Sequence, residues 1–232
     1  MEKDLKDYRE KELRNYVIGN ILIILLGTGQ IQEIITATGT KNSWDAISAF
    51  INSGVIATLV YIYVYLIDSL IPGSIKDKLI WVRKGMPGTR VFSEIRKGHE
   101  DFRFSKEMAL TKYKEVYREI DDAKGNDLKE SEIRKIENLA WYSAYQRNEK
   151  TAQVYVANRD WLLCRDMFMM TIWSIAGFAI TVFFLHPNPS YGFYCSFIIC
   201  LIELGVTWLV ARIKGERFVY NVIAKDIHRK EE

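Results

Sequence analysis

Three cysteines and three histidines among 232 residues leave little room for several kinds of chemistry. Three cysteines make no disulfide framework. Cys195 and Cys200 lie inside an apolar stretch and Cys164 at the edge of another, the setting of reduced, structural thiols. His99, His186 and His228 are scattered, with no H-E-x-x-H helix and no paired-cysteine motif for a metal. No G-x-S-x-G turn presents a serine nucleophile. Ser174 and Ser196 fall in apolar segments with no histidine at similar depth, so an intramembrane protease would lack its base. The chain reads as a non-enzyme with no cofactor.

A strong charge of one sign is also missing. The formal net charge is +3, with 26% charged and 49% hydrophobic residues, and direct nucleic-acid binding is not expected. Those averages would suit a soluble domain, but they hide a segregation. Apolar residues fall in two blocks, roughly 17–72 and 166–211, and the charges lie between and around them. Segregation on this scale marks a membrane protein. The opening MEKDLKDYREKELRNY holds five acidic and five basic residues, unlike the short basic start of a cleavable secretory signal. The closing HRKEE carries no lipidation box.

A helix needs about 20 apolar residues to cross the hydrocarbon core, and four segments qualify. The second (Asp45–Ile71), third (Asp166–Leu185) and fourth (Tyr191–Arg212) are strongly apolar. The first begins VIGNILIILL but then meets Gln30, Gln32 and Glu33, and a re-entrant or broken helix is its alternative. Basic residues set direction. The loop at 37–45 holds only Lys41, and HPNPSYG at 186–192 holds none. Residues 73–165 and the tail after Arg212 hold many. Both termini and the central region are therefore expected in the cytoplasm of a bacterial inner-membrane protein. Pro187 and Pro189 turn the last hairpin. The expected architecture is all-α: an N-terminal amphipathic segment (1–16), a first transmembrane hairpin (17–72), a cytoplasmic helical insert (73–165), a second hairpin (166–212) and a cytoplasmic tail (213–232).

Within the insert, SKEMALTKYKEVYREI (105–120) sets Met108, Ala109, Lys112, Tyr113, Val116, Tyr117 and Ile120 near one helical face, with Ser105 as N-cap. SEIRKIENLAWYSAYQR (131–147) forms a second stripe through Ile133, Ile136, Ala140 and Ala144, widened by Leu139, Trp141 and Tyr142. KGND turns between them. Both stripes read as helix packing. A further helix, about 151–165, runs into the third span and carries the repeated pairs Arg159–Asp160 and Arg165–Asp166. At the membrane mouth these read as a collar, with Arg on lipid phosphate, Trp161 in the headgroups and Asp capping a helix start. A gate or subunit contact made of ion pairs is the alternative. Residues 81–104 are the least helical part and combine glycines with Arg83, Lys84, Arg90, Arg96 and Lys97. Contact with anionic lipid is the leading reading, and an anionic ligand such as a nucleotide is the other. The stretch does not match a P-loop.

The spans carry polar stripes. Ser196, Cys200, Glu203 and Thr207 recur at helical spacing in the fourth. Thr171, Ser174, Gly177 and Thr181 do so in the third, and Gly54, Thr58, Tyr61, Tyr65 and Asp68 in the second. Small and hydroxyl residues alone read as packing seams. Glu203 differs, because an ionisable residue inside a span faces the bundle interior or water and marks a functional path by default. Two roles stay open: a neutral Glu203 bonding a neighbouring span as oligomer glue, or a ring of Glu203 carboxylates in a cation-attracting pore.

The run MPGTRVF, DFRFSKEMAL, AWYSAYQR and RDWLLCRD, across roughly 86–166, resembles small multi-spanning membrane effectors of bacterial anti-phage defence. The resemblance implies an effector that damages the membrane when a partner protein or messenger triggers it. It supplies no ligand or catalytic motif. The expected function is thus a regulated membrane effector or pore, homo-oligomeric in the lipid bilayer and switched through its insert. The alternative is a non-conducting sensor or scaffold that signals to a soluble cytoplasmic partner.

Overall fold

The blocks of the sequence become helices. The computed structural model describes residues 2–27, 62–63, 65–82, 84–98, 101–185 and 191–229, with backbone alone for 2–10, 24–27 and 181–185. Among the described residues there is no strand. The helices are α1 (Glu2–Gly27), α2 (Gly73–Trp81), α3 (Val91–Arg96), α4 (Lys106–Lys112), α5 (Lys114–Gly125), α6 (Glu130–Asn148), α7 (Ala152–Leu185) and α8 (Tyr191–Ile227). They form two compact units. One comprises Met1–Lys76 with Leu163–Val210, the other Asp77–Leu162 with Ala211–Glu232.

In the first unit, α1 runs unbroken through the expected boundary at residues 16 and 17. Leu13, Val17 and Ile21 recur every fourth residue, so they share one face, and they bury against Met170 of α7. Nearby, Phe178, Phe193 and Cys200 form a second apolar cluster, with the two phenyl rings edge to face at 4.8 Å. Two described helices are long and apolar enough to cross a membrane, within Ala152–Ile180 and Tyr191–Ile227. Only 17% of the apolar window of α8 is buried. Ile198, Ile202, Val206 and Leu209 are exposed, whereas Ser196 and Cys200 are buried. The polar stripe of α8 thus faces protein and its aliphatic face points outward, the reverse of a helix in a soluble core. Gln30, Gln32, Glu33, Lys41, Gly54, Thr58, Tyr61, most of the second span and the prolines of the 186–190 turn lie outside the described residues.

The second unit is a helical core around aromatic side chains. Ser105 accepts a hydrogen bond from the Met108 amide and caps α4, as its sequence predicts. The 105–120 stretch is two helices rather than one. Tyr113, at φ −107° and ψ 31°, separates α4 from α5. Ala109, Tyr113, Tyr117 and Ile120 still share one core-facing stripe through the break, and Met108, beside that stripe, is 40% exposed. On α6 the inner face is Glu137, Trp141, Ala144 and Asn148. Leu139 and Tyr142 point to solvent instead, because the spacing of the buried set rotates them outward. Residues 87–96 are not loop. Pro87–Thr89 make a 3-10 turn, and Val91, Phe92 and Ile95 of α3 are fully buried. Phe92 meets Tyr113 and Tyr117 edge to face, at 4.8 and 6.0 Å.

The C-terminal half of α8 completes this core. Phe218, Val219, Tyr220, Val222 and Ile223 are buried, and Phe218 packs edge to face on Trp141 and Tyr145, each at 5.6 Å. What reads as a charged tail in sequence is a structural wall of the insert.

Candidate functional site

Four polar side chains meet inside the otherwise apolar first unit. Glu203 of α8 is half-buried, and its Oε1 accepts a hydrogen bond from Asn20 Nδ2 of α1 at 3.1 Å. Asn20 is 2% exposed and also donates to the Tyr16 carbonyl at 3.3 Å. The Tyr16 hydroxyl lies 2.6 Å from Thr171 Oγ1 on α7. Thr171 Oγ1 also lies 3.0 Å from the Met167 carbonyl. Thr207 caps the group along α8 by donating to the Glu203 carbonyl at 2.8 Å. Ser174 donates within α7 to the Met170 carbonyl, as a packing residue would.

Within the bilayer such groups must bond one another, because no water competes. An ionised Asp, Lys or Arg at the centre of a span costs about 2.5–3.5 kcal/mol. A carboxyl held by an amide on the next helix avoids much of that penalty. Sequence left Glu203 open between bonding a neighbouring span as oligomer glue and lining a pore; the bond found is to Asn20 of the same chain. Asn20 and Tyr16 were not among the expected polar residues. The signal was there, since Asn20 interrupts VIGNILIILL with the one amide of that run.

Asp68 does not join Glu203. It accepts from Lys76 Nζ at 2.6 Å, and Lys76 lies 3.5 Å from Asp166. Arg165 Nε reaches Asp166 at 3.3 Å. Asp68, Lys76 and Asp166 are 7%, 5% and 0% exposed, so these carboxylates and cations share a sequestered cluster. It ties the start of α2 to α7. The pair Arg159–Asp160 lies in the other unit. There Asp160 is 3.0 Å from Arg159 and 2.8 Å from Lys214 of α8. Burial raises the Asp160 pKa, but the bonds from Lys214 and Arg159 outweigh it and leave the net value below the usual carboxylate range.

Two elements of the expected collar are corrected. Neither Asp160 nor Asp166 caps a helix start, because α7 is continuous through both. Trp161 is not a headgroup anchor. It is 2% exposed, packs against Trp81 at 6.2 Å and lies under Gly215.

The basic stretch 81–104 is divided by the fold. Arg83 lies outside the described residues. Arg96 pairs with Asp121 of α5 through both guanidinium nitrogens, a surface tie between helices. Lys84, Arg90 and Lys97 line a cleft of ≈ 420 Å³, joined by Lys124 of α5 and Arg134 of α6. Its carboxylates are internally bound. Glu137, 1% exposed, accepts from the Phe92 and Ser93 amides at 3.0 and 3.1 Å and from the Ser93 hydroxyl. Burial raises the Glu137 pKa, against the pull of these donors. Glu94 pairs with Arg90 at 2.6 Å, and Glu130 with Arg134 at 2.7 Å. Sequence reasoning found the first three cations but missed Lys124 and Arg134, which come from helices that pattern alone assigns only to packing.

Among the described residues no group of three or more His, Cys, Asp or Glu is placed to hold a metal ion. No family model, curated protein or solved structure matches the chain.

Proposed function

We propose that this protein is a regulated membrane effector of the bacterial inner membrane. In this reading four spans surround a polar line, both termini are cytoplasmic, and the 77–162 unit receives the trigger. The observation that carries the reading is the Tyr16–Asn20–Glu203–Thr171 group. A carboxyl and an amide joined between outward-apolar helices are costly in lipid, and such residues mark ion or proton paths by default. Several copies of the chain are part of the proposal, because one protomer with four spans is a thin wall for any path. Anti-phage defence enters through the sequence resemblance alone.

The direct bond from Asn20 to Glu203 also favours a second reading. A carboxyl engaged within its own protomer can serve as a fixed joint, as a non-conducting sensor or scaffold requires. Expression in bacterial cells with a membrane-potential dye separates the two. The effector reading expects wild-type chain to depolarise cells and Glu203→Gln to cut that activity at least tenfold at equal membrane abundance. Depolarisation undiminished in Glu203→Gln rejects Glu203 as part of a conducting path. Harmless wild-type expression, with a soluble protein co-purifying, selects the scaffold.

A further inference from the structure

The cleft of the second unit has a charge arrangement that its own structure leaves incomplete. Five cations line it. Arg90 and Arg134 are held by Glu94 and Glu130. Lys84, Lys97 and Lys124 form no ion pair among the described residues, and they come from three different elements: the turn after α2, the end of α3 and the last turn of α5. The three carboxylates are all bound within the unit, Glu137 most completely. Lys124 also feels the charges of Glu137 and Asp121, but five cations against three carboxylates leave the concavity with an excess of positive charge. Helix dipoles account for a lysine at the end of α3 or of α5 taken singly. They do not account for Lys84 meeting both at one concavity, where like charges repel.

We propose that this cleft binds a small phosphate-bearing anion through Lys84, Lys97 and Lys124. The volume of ≈ 420 Å³ falls in the range of small-molecule sites, about 300–1,000 Å³. Lysine ammonium groups act as strongly hydrated point charges with rotatable donors, suited to phosphate oxygens reached from three sides. The wall behind them is preset. Glu137 fixes the first turn of α3 through the Phe92 and Ser93 amides. Gly85, at φ +70°, has no Cβ to crowd Thr89 Oγ1 or Arg134 Nη1, which an added Cβ would meet at 3.1 and 3.5 Å. The same chemistry occurs in a free phosphate compound and in an anionic lipid headgroup. The proposal stands apart from the effector reading, since it concerns binding and not conductance.

The test uses the full chain in nanodiscs, with inorganic pyrophosphate as the soluble probe in calorimetry. Phosphatidylcholine discs are compared with discs containing phosphatidylglycerol. The triple Lys84→Ala/Lys97→Ala/Lys124→Ala is set against an equal charge change elsewhere, Lys106→Ala/Lys114→Ala/Lys150→Ala. All six lysines are exposed, so both triples should keep the wild-type melting profile. Pyrophosphate binding in neutral discs, weakened at least tenfold by the cleft triple and not by the control, identifies a free phosphate compound. Phosphatidylglycerol-dependent amide protection of residues 84–97, lost only in the cleft triple, identifies a lipid headgroup. Binding of neither probe, or equal loss in both triples, overturns the proposal.

Discussion

At the scale of single residues, Asp226 holds the second unit together. It is 1% exposed and lies on α8 well beyond Arg212, where the apolar span ends. Arg147 reaches it at 3.0 and 2.7 Å, Tyr113 at 2.8 Å and Asn148 at 2.8 Å. Burial pushes the Asp226 pKa up, but the bonds from Arg147, Tyr113 and Asn148 outweigh it and hold the carboxyl below the usual carboxylate range. A depressed carboxylate pKa stabilises the fold above the unfolded value, and that stability is lost as pH falls through the folded value. Asp226→Ala should therefore cost about 2–4 kcal/mol near neutral pH, from the orphaned donors and the broken pair. Chemical denaturation between pH 7 and pH 3 should also show a shallower acid loss than in wild type. Sequence reading did not single out this aspartate. In KDI it looks like one more charge of a solvated tail, and only the tertiary path of α8 buries it. Glu203 was legible because its apolar surroundings are local in sequence, whereas those of Asp226 are assembled from distant helices.

At the scale of helical elements, two glycines set how closely the chain can pack. A Cβ at Gly88 would lie 2.9 Å from the Trp141 ring, and one at Gly215 would lie 2.9 Å from Trp81 and 3.0 Å from Trp161. Indole rings at such distances cannot yield without moving a helix, and overpacking costs about 1–3 kcal/mol. Gly88→Ala and Gly215→Ala should each lower stability by about that amount, with a red-shifted tryptophan emission as the buried indoles gain access to water. Ser105→Ala should cost about 1 kcal/mol by removing the cap of α4, measurable as a lower melting temperature. The helices themselves were largely legible from apolar spacing, and so was the run of the 151–165 helix into the third span. The break at Tyr113 was not. No proline or glycine marks it, and it is set by the contacts of Tyr113 with Phe92 and Asp226. The inner face of α6 was misread for a related reason, since it includes Glu137 and Asn148, polar residues that an apolar pattern excludes.

At the scale of the whole molecule, the sequence separates apolar from charged blocks well enough to anticipate an all-helical chain with membrane-crossing segments. Two of the described helices are long and apolar enough to cross a membrane. The proposed four-span topology predicts that a fluorescent protein fused after residue 229 folds and emits in the cytoplasm, while alkaline phosphatase at the same place stays inactive. The reverse pattern would remove the proposed orientation. Charge placement carries this expectation, but it cannot reveal that residues 211–229 belong to the same folding unit as 77–162. That division has a consequence for biosynthesis. Phe218, Tyr220 and Ile223 leave the ribosome only after the whole of 163–210 has been made. The nascent insert must wait, with Trp141 and Tyr145 lacking their contact with Phe218, while both long apolar helices are made. Domains usually fold as units in the order of synthesis. Here Phe218, Tyr220 and Ile223 come last, so a chain truncated at residue 210 would keep the apolar part of both long helices and lack one wall of the 77–162 core, a natural target for chaperones and proteases.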